Sequence, residues 1–212
     1  MNKYYRKIKS KNNCKATFPV KNKREMNLLI NYWKKEYEYA KTESKKNKAY
    51  RNYLLILCGF NLAFRAEDLL QLIVLRIKKG YMTIKENKTG KIQNFRLNKE
   101  FHKELLKYIE TFHLSDYDYL FFSKKPGDSE PITRQGADKN LKKAAKSINL
   151  KQDFSMHSLR KTFAYQKYIS GTSILTLMKM LNHDNPITTL IYICWDQYDA
   201  ESERTNTYYS GL

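Results

Sequence analysis

The sequence predicts a mainly α-helical domain that carries a small three-stranded antiparallel sheet. Over most of the chain, apolar residues recur at three- and four-residue steps, which is the period of a helix packed on one side. Between residues 73 and 97 the period falls to two, which is typical of half-buried strands. With 212 residues, 42% of them hydrophobic, the chain is long enough to bury a core of its own.

The helical segments follow from the positions of their apolar residues and from their stop signals. Met26, Leu29 and Trp33 place apolar side chains on one face of the first helix. The second, more apolar helix is expected to end near Gly59, because glycine is common just beyond a helix C-terminus. We predict helices at about residues 25–41, 47–60, 66–72, 98–112, 133–149, 157–170, 173–181 and 186–198.

The predicted strands are Ile73–Ile77, Tyr81–Lys85 and Gln93–Leu97. A turn from Glu86 to Lys91 joins the last two strands, with Gly90 supplying the backbone angles that other residues avoid. The segment 113–132 contains two prolines and is expected to be a loop with a short edge strand at Tyr119–Phe122.

Positive charge dominates the composition. The formal net charge is +19 and the isoelectric point is about 9.7. Such a charge favours nucleic acid or an acidic membrane as a partner, with a merely solubilising lysine-rich surface as the alternative. Lysine outnumbers arginine 31 to 9, so the positions of the arginines are the more informative.

The N-terminal residues 1–24 hold nine basic residues and no acidic one. We expect them to form a flexible basic arm that contacts nucleic-acid phosphates without sequence preference, with an inert tail as the alternative. Residues 25–212 then form the folded domain and its C-terminal tail. The candidate phosphate contacts in the arm are Lys3, Arg6, Lys7, Lys9 and Lys11.

Cysteine usage and hydropathy indicate a cytoplasmic location. Cys14, Cys58 and Cys194 are widely spaced and follow no zinc or disulfide pattern. The longest apolar stretch, from Tyr53 to Phe64, is too short to cross a bilayer. The N-terminus also lacks the apolar core of a signal peptide, so neither secretion nor membrane insertion is expected.

Two arginines, two histidines and a tyrosine form a chemically meaningful set. His157 and Arg160 lie three residues apart at a predicted helix start and therefore share a face. His183 follows, and Tyr192 lies nine residues beyond it, while Arg65 lies far upstream. Each residue alone also has a purely structural explanation: an ion pair for Arg65, a solvated polar helix face for His157 and Arg160, and packing for Tyr192.

The order and spacing of these residues resemble the tyrosine recombinase, or phage integrase, family. The matching elements are Arg65 in Gly59-x5-Arg65-x2-Asp68-Leu69, Lys88 in a Lys-Thr-Gly hairpin, His157-x-x-Arg160, Leu181-x-His183 and Tyr192. The resemblance covers about residues 25–200 and implies the family's catalytic-domain fold. It also implies strand exchange at specific sites of double-stranded DNA, without a metal or other cofactor, in a protein encoded by a bacterium, phage or plasmid. The resemblance implies a homotetramer in the synaptic complex and a monomer or dimer away from DNA.

The residue types also fit an attack on a phosphodiester. Arginine stays charged and presents planar, bidentate donors, so Arg65 and Arg160 are expected to hold the nonbridging oxygens. Tyr192 is the expected nucleophile, and His157 is the best candidate for its base. His183 is expected to donate a hydrogen bond to the phosphate and to help position Tyr192.

The resemblance further implies that Lys88 protonates the leaving 5′ oxygen, with the nearby Lys91 as the alternative acid and a further DNA contact. Asp68 stands where the family usually has glutamate, and we expect it to orient a positive group. Asn182 stands where the family usually has glycine, and asparagine tolerates the left-handed conformation that such a turn needs.

Alternatives remain for the nucleophile and for the activity. Tyr198 is a rival nucleophile, although the nine-residue spacing from His183 favours Tyr192. Trp195 and Tyr198 are also candidate anchors on a neighbouring subunit. Because little sequence precedes the first motif, we expect a short recombinase made mostly of the catalytic domain. Two other functions remain as hypotheses: a non-catalytic DNA-binding module and a type IB topoisomerase-like activity.

Overall fold

The computed structural model of the protein describes residues 17–194 and Thr205. Over this part of the chain the helices are α1 (Lys23–Glu38), α2 (Glu43–Leu62), α3 (Ala66–Leu70), α4 (Leu75–Lys78), α5 (Lys99–Thr111), α6 (Arg134–Ser147), α7 (Met156–Ile169), α8 (Ile174–Met180) and α9 (Pro186–Ile193). The strands are β1 (Tyr81–Lys85) and β2 (Ile92–Arg96). Outside the described residues lie the predicted phosphate contacts Lys3, Arg6, Lys7, Lys9 and Lys11, and also Trp195 and Tyr198.

Each predicted helix has a counterpart in the described chain, and side-chain caps determine several of their starts. The last helix, predicted to reach residue 198, ends at Ile193, because Cys194 adopts the left-handed conformation. The side chain of Asn98 accepts hydrogen bonds from the backbone N–H groups of Glu100 and Phe101 at the start of α5. Helix α2 begins earlier than predicted because Thr42 caps it. The predicted end near Gly59 is wrong, since α2 continues to Leu62.

Gly59 serves helix packing rather than helix termination. A Cβ atom at this position would lie 2.6 Å from Cδ1 and 2.7 Å from Cβ of Leu159 in α7. Helices α2 and α7 therefore approach each other more closely than any larger residue at position 59 allows. This close crossing fixes the first turn of α7, which carries His157 and Arg160, against the buried helix.

The three-stranded sheet is also wrong, since the described chain contains one two-stranded antiparallel sheet. Tyr81 pairs with Arg96, and Lys85 pairs with Ile92. The predicted strand Ile73–Ile77 instead forms the single turn α4, because a short apolar run fits either period and the tertiary contacts decide between them.

The segment around α4 is held by backbone hydrogen bonds to the loop that precedes α6. The N–H groups of Val74 and Leu75 donate to the carbonyl oxygens of Asp118 and Asp116, at 3.1 and 2.8 Å. The predicted edge strand Tyr119–Phe122 is reduced to two isolated bridges, from Ile73 to Tyr119 and from Phe122 to Pro131. The loop thus closes over α4 without extending the sheet.

The main hydrophobic core surrounds α2. Leu54, Leu55 and Ile56 are consecutive and fully buried, so neighbouring helices cover α2 on all sides. A second, smaller cluster joins Ala164 of α7, Leu181 after α8 and Ile193 of α9. This second cluster holds the C-terminal helices against α7 and thereby positions the last turn of α9.

The last part of the predicted N-terminal arm packs along α7. Val20 is fully buried, and its N–H donates to Oγ1 of Thr162 at 2.8 Å. Lys161 Nζ donates to the carbonyl oxygen of Thr17 at 2.8 Å. Flexibility and phosphate contact by residues 1–16 stay predictions. Among the described helices, none combines the length and the apolar character that a bilayer span requires.

Candidate active site

The structure brings five of the predicted catalytic residues to one place. Arg65 immediately precedes α3, His157 and Arg160 lie in the first turn of α7, His183 follows α8, and Tyr192 lies in the last turn of α9. Since these elements come from both halves of the chain, tertiary packing alone assembles the set.

Tyr192 lies at the centre of this arrangement. The ring centroids of His157 and His183 lie 5.1 and 5.0 Å from that of Tyr192, both in edge-on geometry. Lys161 Nζ lies 5.4 Å from the same centroid. The hydroxyl oxygen of Tyr192 is buried and faces the guanidinium group of Arg160, but it makes no hydrogen bond of good geometry with any of the described residues.

Burial and positive charge together set the protonation of this group. Burial raises the pKa of Tyr192 to about 12, and the charges of Arg160 and Arg65 offset this only in part. Partial withdrawal from water and nearby cations, including Arg160, lower the pKa values of His157 and His183 to about 4. Both imidazoles are therefore neutral near pH 7, and each has a ring nitrogen able to accept a proton.

The turn after α8 orients His183. Asn182 has φ of 52°, which confirms that asparagine adopts the left-handed conformation here. The N–H of His183 donates to the carbonyl oxygen of Met178 at 2.9 Å. Nδ1 of His183 lies 3.0 Å from Oγ1 of the fully buried Thr189, a contact that sequence reasoning missed because a threonine in an apolar helix carries no distinctive signal.

Arg160 is held rigidly, with part of its guanidinium group left unpaired. The residue is 2% exposed, and its Nη2 donates to the carbonyl oxygen of Leu181 at 2.7 Å. Its buried Nη1 makes no hydrogen bond of good geometry among the described residues and lies 3.9 Å from Oε1 of Glu86, and the guanidinium group also faces the hydroxyl of Tyr192.

Glu86 is the acidic partner of Arg65 and Arg160, a role that the sequence does not predict. Its buried carboxylate forms an ion pair with Arg65 and accepts hydrogen bonds from Thr89 Oγ1 at 2.6 Å and Gln93 Nε2 at 2.9 Å. Burial raises the pKa of Glu86, but polar contacts from Thr89 and Asn182 and the charge of Arg65 outweigh burial and leave the pKa below its usual value. The only sequence signal was an acidic residue in the hairpin turn.

Asp68 lies beneath the hairpin. Its Oδ1 accepts a hydrogen bond from the backbone N–H of Asn87 at 2.9 Å, and burial raises its pKa. The structure therefore places this carboxylate against the hairpin backbone, whereas the ion-pair partner of Arg65 is Glu86.

The two lysines of the hairpin differ in their surroundings. Lys91 Nζ lies 2.5 Å from Oδ1 of Asp184, next to His183. Lys88 is exposed at the tip and forms no hydrogen bond or ion pair with any residue of the described chain. Within residues 17–194, no three His, Cys, Asp or Glu side chains cluster so that they could hold a metal ion.

The chain is similar to several recombinases. The probable integrase/recombinase YoeC of Bacillus subtilis is 34% identical over 152 residues, which cover 71% of this chain and 81% of that protein. Tyrosine recombinase XerA of Pyrococcus furiosus is 24% identical over 144 residues, which cover 67% of this chain and 49% of that protein.

A solved structure shows the same fold. The XerH site-specific recombinase bound to its palindromic difH substrate, a post-cleavage complex, has a TM-score of 0.68 at 22% identity, over 92% of this chain and 55% of that chain. The chain thus spans about half the length of XerA and of XerH.

The sequence model of the phage integrase family matches residues 22–197, a range that includes all the motif residues from Arg65 to Tyr192. Because this match extends over most of the chain, the protein belongs to the phage integrase family, that of the tyrosine recombinases.

Proposed function

We propose that this protein cuts and rejoins DNA at specific sites through a covalent bond between Tyr192 and a DNA 3′ phosphate. One observation carries the proposal: the buried hydroxyl of Tyr192 faces the guanidinium group of Arg160, and neither this hydroxyl nor Nη1 of Arg160 makes a hydrogen bond of good geometry in the described chain. Buried polar atoms are normally paired, so this place fits a polar ligand. A DNA phosphate satisfies both atoms.

The two arginines suit the binding of that phosphate. Leu181 holds Nη2 of Arg160 in place, and Nη1 keeps N–H groups that can donate to a nonbridging oxygen. Arg65 shares one nitrogen with Glu86 and keeps further N–H groups free to donate. A preorganised donor of this kind contributes on the order of 10²–10³ in rate.

Tyr192 needs a base, because its pKa is about 12. At pH 7 only about one tyrosine in 10⁵ with such a pKa is ionised. The neutral imidazole of His157 is the proposed acceptor, because Nδ1 of the other neighbouring histidine, His183, already contacts Thr189, and a positioned base contributes roughly 10²–10⁴. As the Tyr192 oxygen bonds to phosphorus, the bond from phosphorus to the 5′ oxygen breaks.

We assign the proton donor to Lys88. Lys91 is engaged with Asp184, whereas the exposed Lys88 at the hairpin tip has no competing partner in the described chain. The leaving 5′ oxygen takes a proton from Lys88, and a second 5′ hydroxyl later attacks the phosphotyrosine. The bond energy is conserved in that intermediate, so the cycle consumes no ATP, and the two arginines supply the charge stabilisation that a metal provides elsewhere.

The net charge, the family resemblance and the cysteines support a DNA partner, a four-copy assembly and a cytoplasmic location. A net charge of +19 supports double-stranded DNA as the partner, with Lys91 and the basic arm as additional contacts. Four copies are proposed to assemble on two DNA sites, as in the strand exchange that the family resemblance implies. Within residues 17–194, Cys58 and Cys194 form no disulfide, which fits a reducing cytoplasm in a bacterial, phage or plasmid setting.

The test is covalent capture of DNA. Nicked duplexes with randomised core sequences are incubated with the protein in EDTA, and adducts are recovered by denaturing gel and sequenced. We expect a 3′ adduct for wild type and for Tyr198→Phe, and none for Tyr192→Phe.

The outcomes separate the competing readings. An adduct that persists in Tyr192→Phe overturns the assignment of the nucleophile. DNA binding without any adduct favours a non-catalytic binding module. Relaxation of one duplex without exchange between two favours the topoisomerase-like activity.

A further inference from the structure

We propose that Glu86 is a positioning residue of this active site: its carboxylate holds the guanidinium groups of Arg65 and Arg160 in the arrangement that receives the scissile phosphate. The inference rests on the proposed function, since it concerns the same phosphate. It assigns a role to a residue that lies two positions before Lys88 and outside the catalytic set described above.

The burial of Glu86 is the first argument. The side chain has no exposed surface, and a carboxylate so placed is stable in its charged form only when cations and hydrogen-bond donors surround it. Arg65, Thr89 and Gln93 all donate to it. Its pKa nevertheless lies below the usual value, so the group is a carboxylate at neutral pH.

The geometry between the two arginines is the second argument. Arg65 pairs directly with Oε2, whereas Nη1 of Arg160 lies 3.9 Å from Oε1, which is beyond hydrogen-bond distance but within strong electrostatic range. Glu86 thus attracts both cations and leaves Nη1 of Arg160 free. Without this negative charge, the two guanidinium groups repel each other and lose their common orientation.

The connections of Glu86 to the rest of the site are the third argument. Its backbone N–H and carbonyl oxygen close the hairpin that carries Lys88, through Lys91 and Gly90. The charged and titratable groups that face it are Arg65 and Asp68 near α3, Arg160 on α7 and His183 after α8. The carboxylate therefore links the hairpin, both arginines and the turn of His183.

The test compares Glu86→Gln with Glu67→Gln. Each variant removes one carboxylate charge and keeps the side-chain size, but Glu67 is exposed at the start of α3. Single-turnover cleavage of a captured nicked substrate is measured, together with the Kd for the same duplex. We expect Glu86→Gln to cleave on the order of 10²-fold more slowly, as for a small misplacement of catalytic groups, with a Kd like that of Glu67→Gln.

The titration of His183 separates positioning from general support of the fold. Glu86 raises the pKa of His183, so its neutralisation lowers that pKa. The imidazole signals of His183, followed by NMR in the free protein, should therefore titrate at lower pH in Glu86→Gln and at the wild-type pH in Glu67→Gln. Glu86→Asp keeps the charge and should keep the wild-type titration, with a cleavage rate above that of Glu86→Gln.

A second measurement requires no catalysis. In NMR spectra of the free protein, the Nε–Hε signals of Arg65 and Arg160 should be sharp in wild type and in Glu67→Gln, and broadened in Glu86→Gln. Unchanged arginine signals in Glu86→Gln, or a cleavage rate equal to that of Glu67→Gln, overturn the positioning role. A wild-type protein that forms no adduct refutes the proposed function instead, and the arginine signals still decide whether Glu86 orders the arginines.

Discussion

The close crossing of α2 and α7 predicts a large effect from a single methyl group. In Gly59→Ala, the new Cβ lies 2.6 Å from Leu159 Cδ1 and 2.7 Å from Leu159 Cβ. The second atom is attached to the backbone of α7, so a rotamer change of Leu159 cannot relieve the contact and the helices must separate.

Two opposing terms set the magnitude. Overpacking of this kind costs up to about 3 kcal/mol, whereas alanine is favoured over glycine inside a helix by about 1 kcal/mol. We therefore expect the free energy of unfolding to fall by about 2 kcal/mol. Because α7 carries His157 and Arg160, the cleavage rate should also fall.

The assay is urea unfolding followed by circular dichroism, with Gly136→Ala as the matched control. There the nearest contacts of the added Cβ are 3.2 Å, to side-chain atoms of Ile132 and Thr133. This control should change the free energy of unfolding by less than about 1 kcal/mol.

A double-mutant cycle with Leu159→Ala isolates the contact. Leu159→Ala removes the Cδ1 contact and leaves the Cβ contact, so the cost of Gly59→Ala should shrink by about 1 kcal/mol in that background. A Gly59→Ala protein as stable as wild type, or an identical cost in both backgrounds, refutes the packing argument.

Two further predictions concern the general acid and the effect of pH. Lys88→Ala should slow cleavage by roughly 10²–10⁴, and a substrate with sulfur in place of the leaving 5′ oxygen should restore the rate, because a thiolate leaves without a proton. The control Lys91→Ala should cleave at a rate near that of wild type. The reverse pattern in the two variants identifies Lys91 as the acid. His183 has a pKa of about 4 in the folded protein against 6.5 as its ordinary value, so the unfolded chain binds the proton first and stability should fall as pH drops from 6.5 towards 4. Melting temperatures measured across this range should fall less steeply for His183→Gln than for wild type, and equal slopes contradict the link.

The sequence supported the helical elements well because their period and their caps are local properties. It failed at Ile73–Ile77, where a short apolar run fits a strand as well as a turn of helix. Hydrogen bonds from the N–H groups of Val74 and Leu75 to the carbonyl oxygens of Asp118 and Asp116 hold this segment as a helical turn. The prediction that α2 ends near Gly59 was wrong for a related reason. The role of Gly59 depends on its contact with Leu159, which lies far away in the chain.

The candidate site likewise has residues that the sequence predicts and residues that it does not. Arginine, histidine and tyrosine in a characteristic order are visible in the sequence, because the chemistry of phosphate attack limits which residue types can serve. Glu86 and Thr189 were not visible, because a carboxylate in a turn and a hydroxyl in an apolar helix are common. Their roles arise only from distances to residues on other elements.

By itself, the sequence determined the family, the basic character and the identity of the candidate reacting groups, all of which reside in residue types and their order. Only the tertiary structure decided that Glu86 rather than Asp68 pairs with Arg65, that Lys91 rather than Lys88 is engaged by Asp184, and that the hydroxyl of Tyr192 is buried. The physical reason is that ion pairing, desolvation and close packing depend on distances in space, which residues far apart in the chain set together.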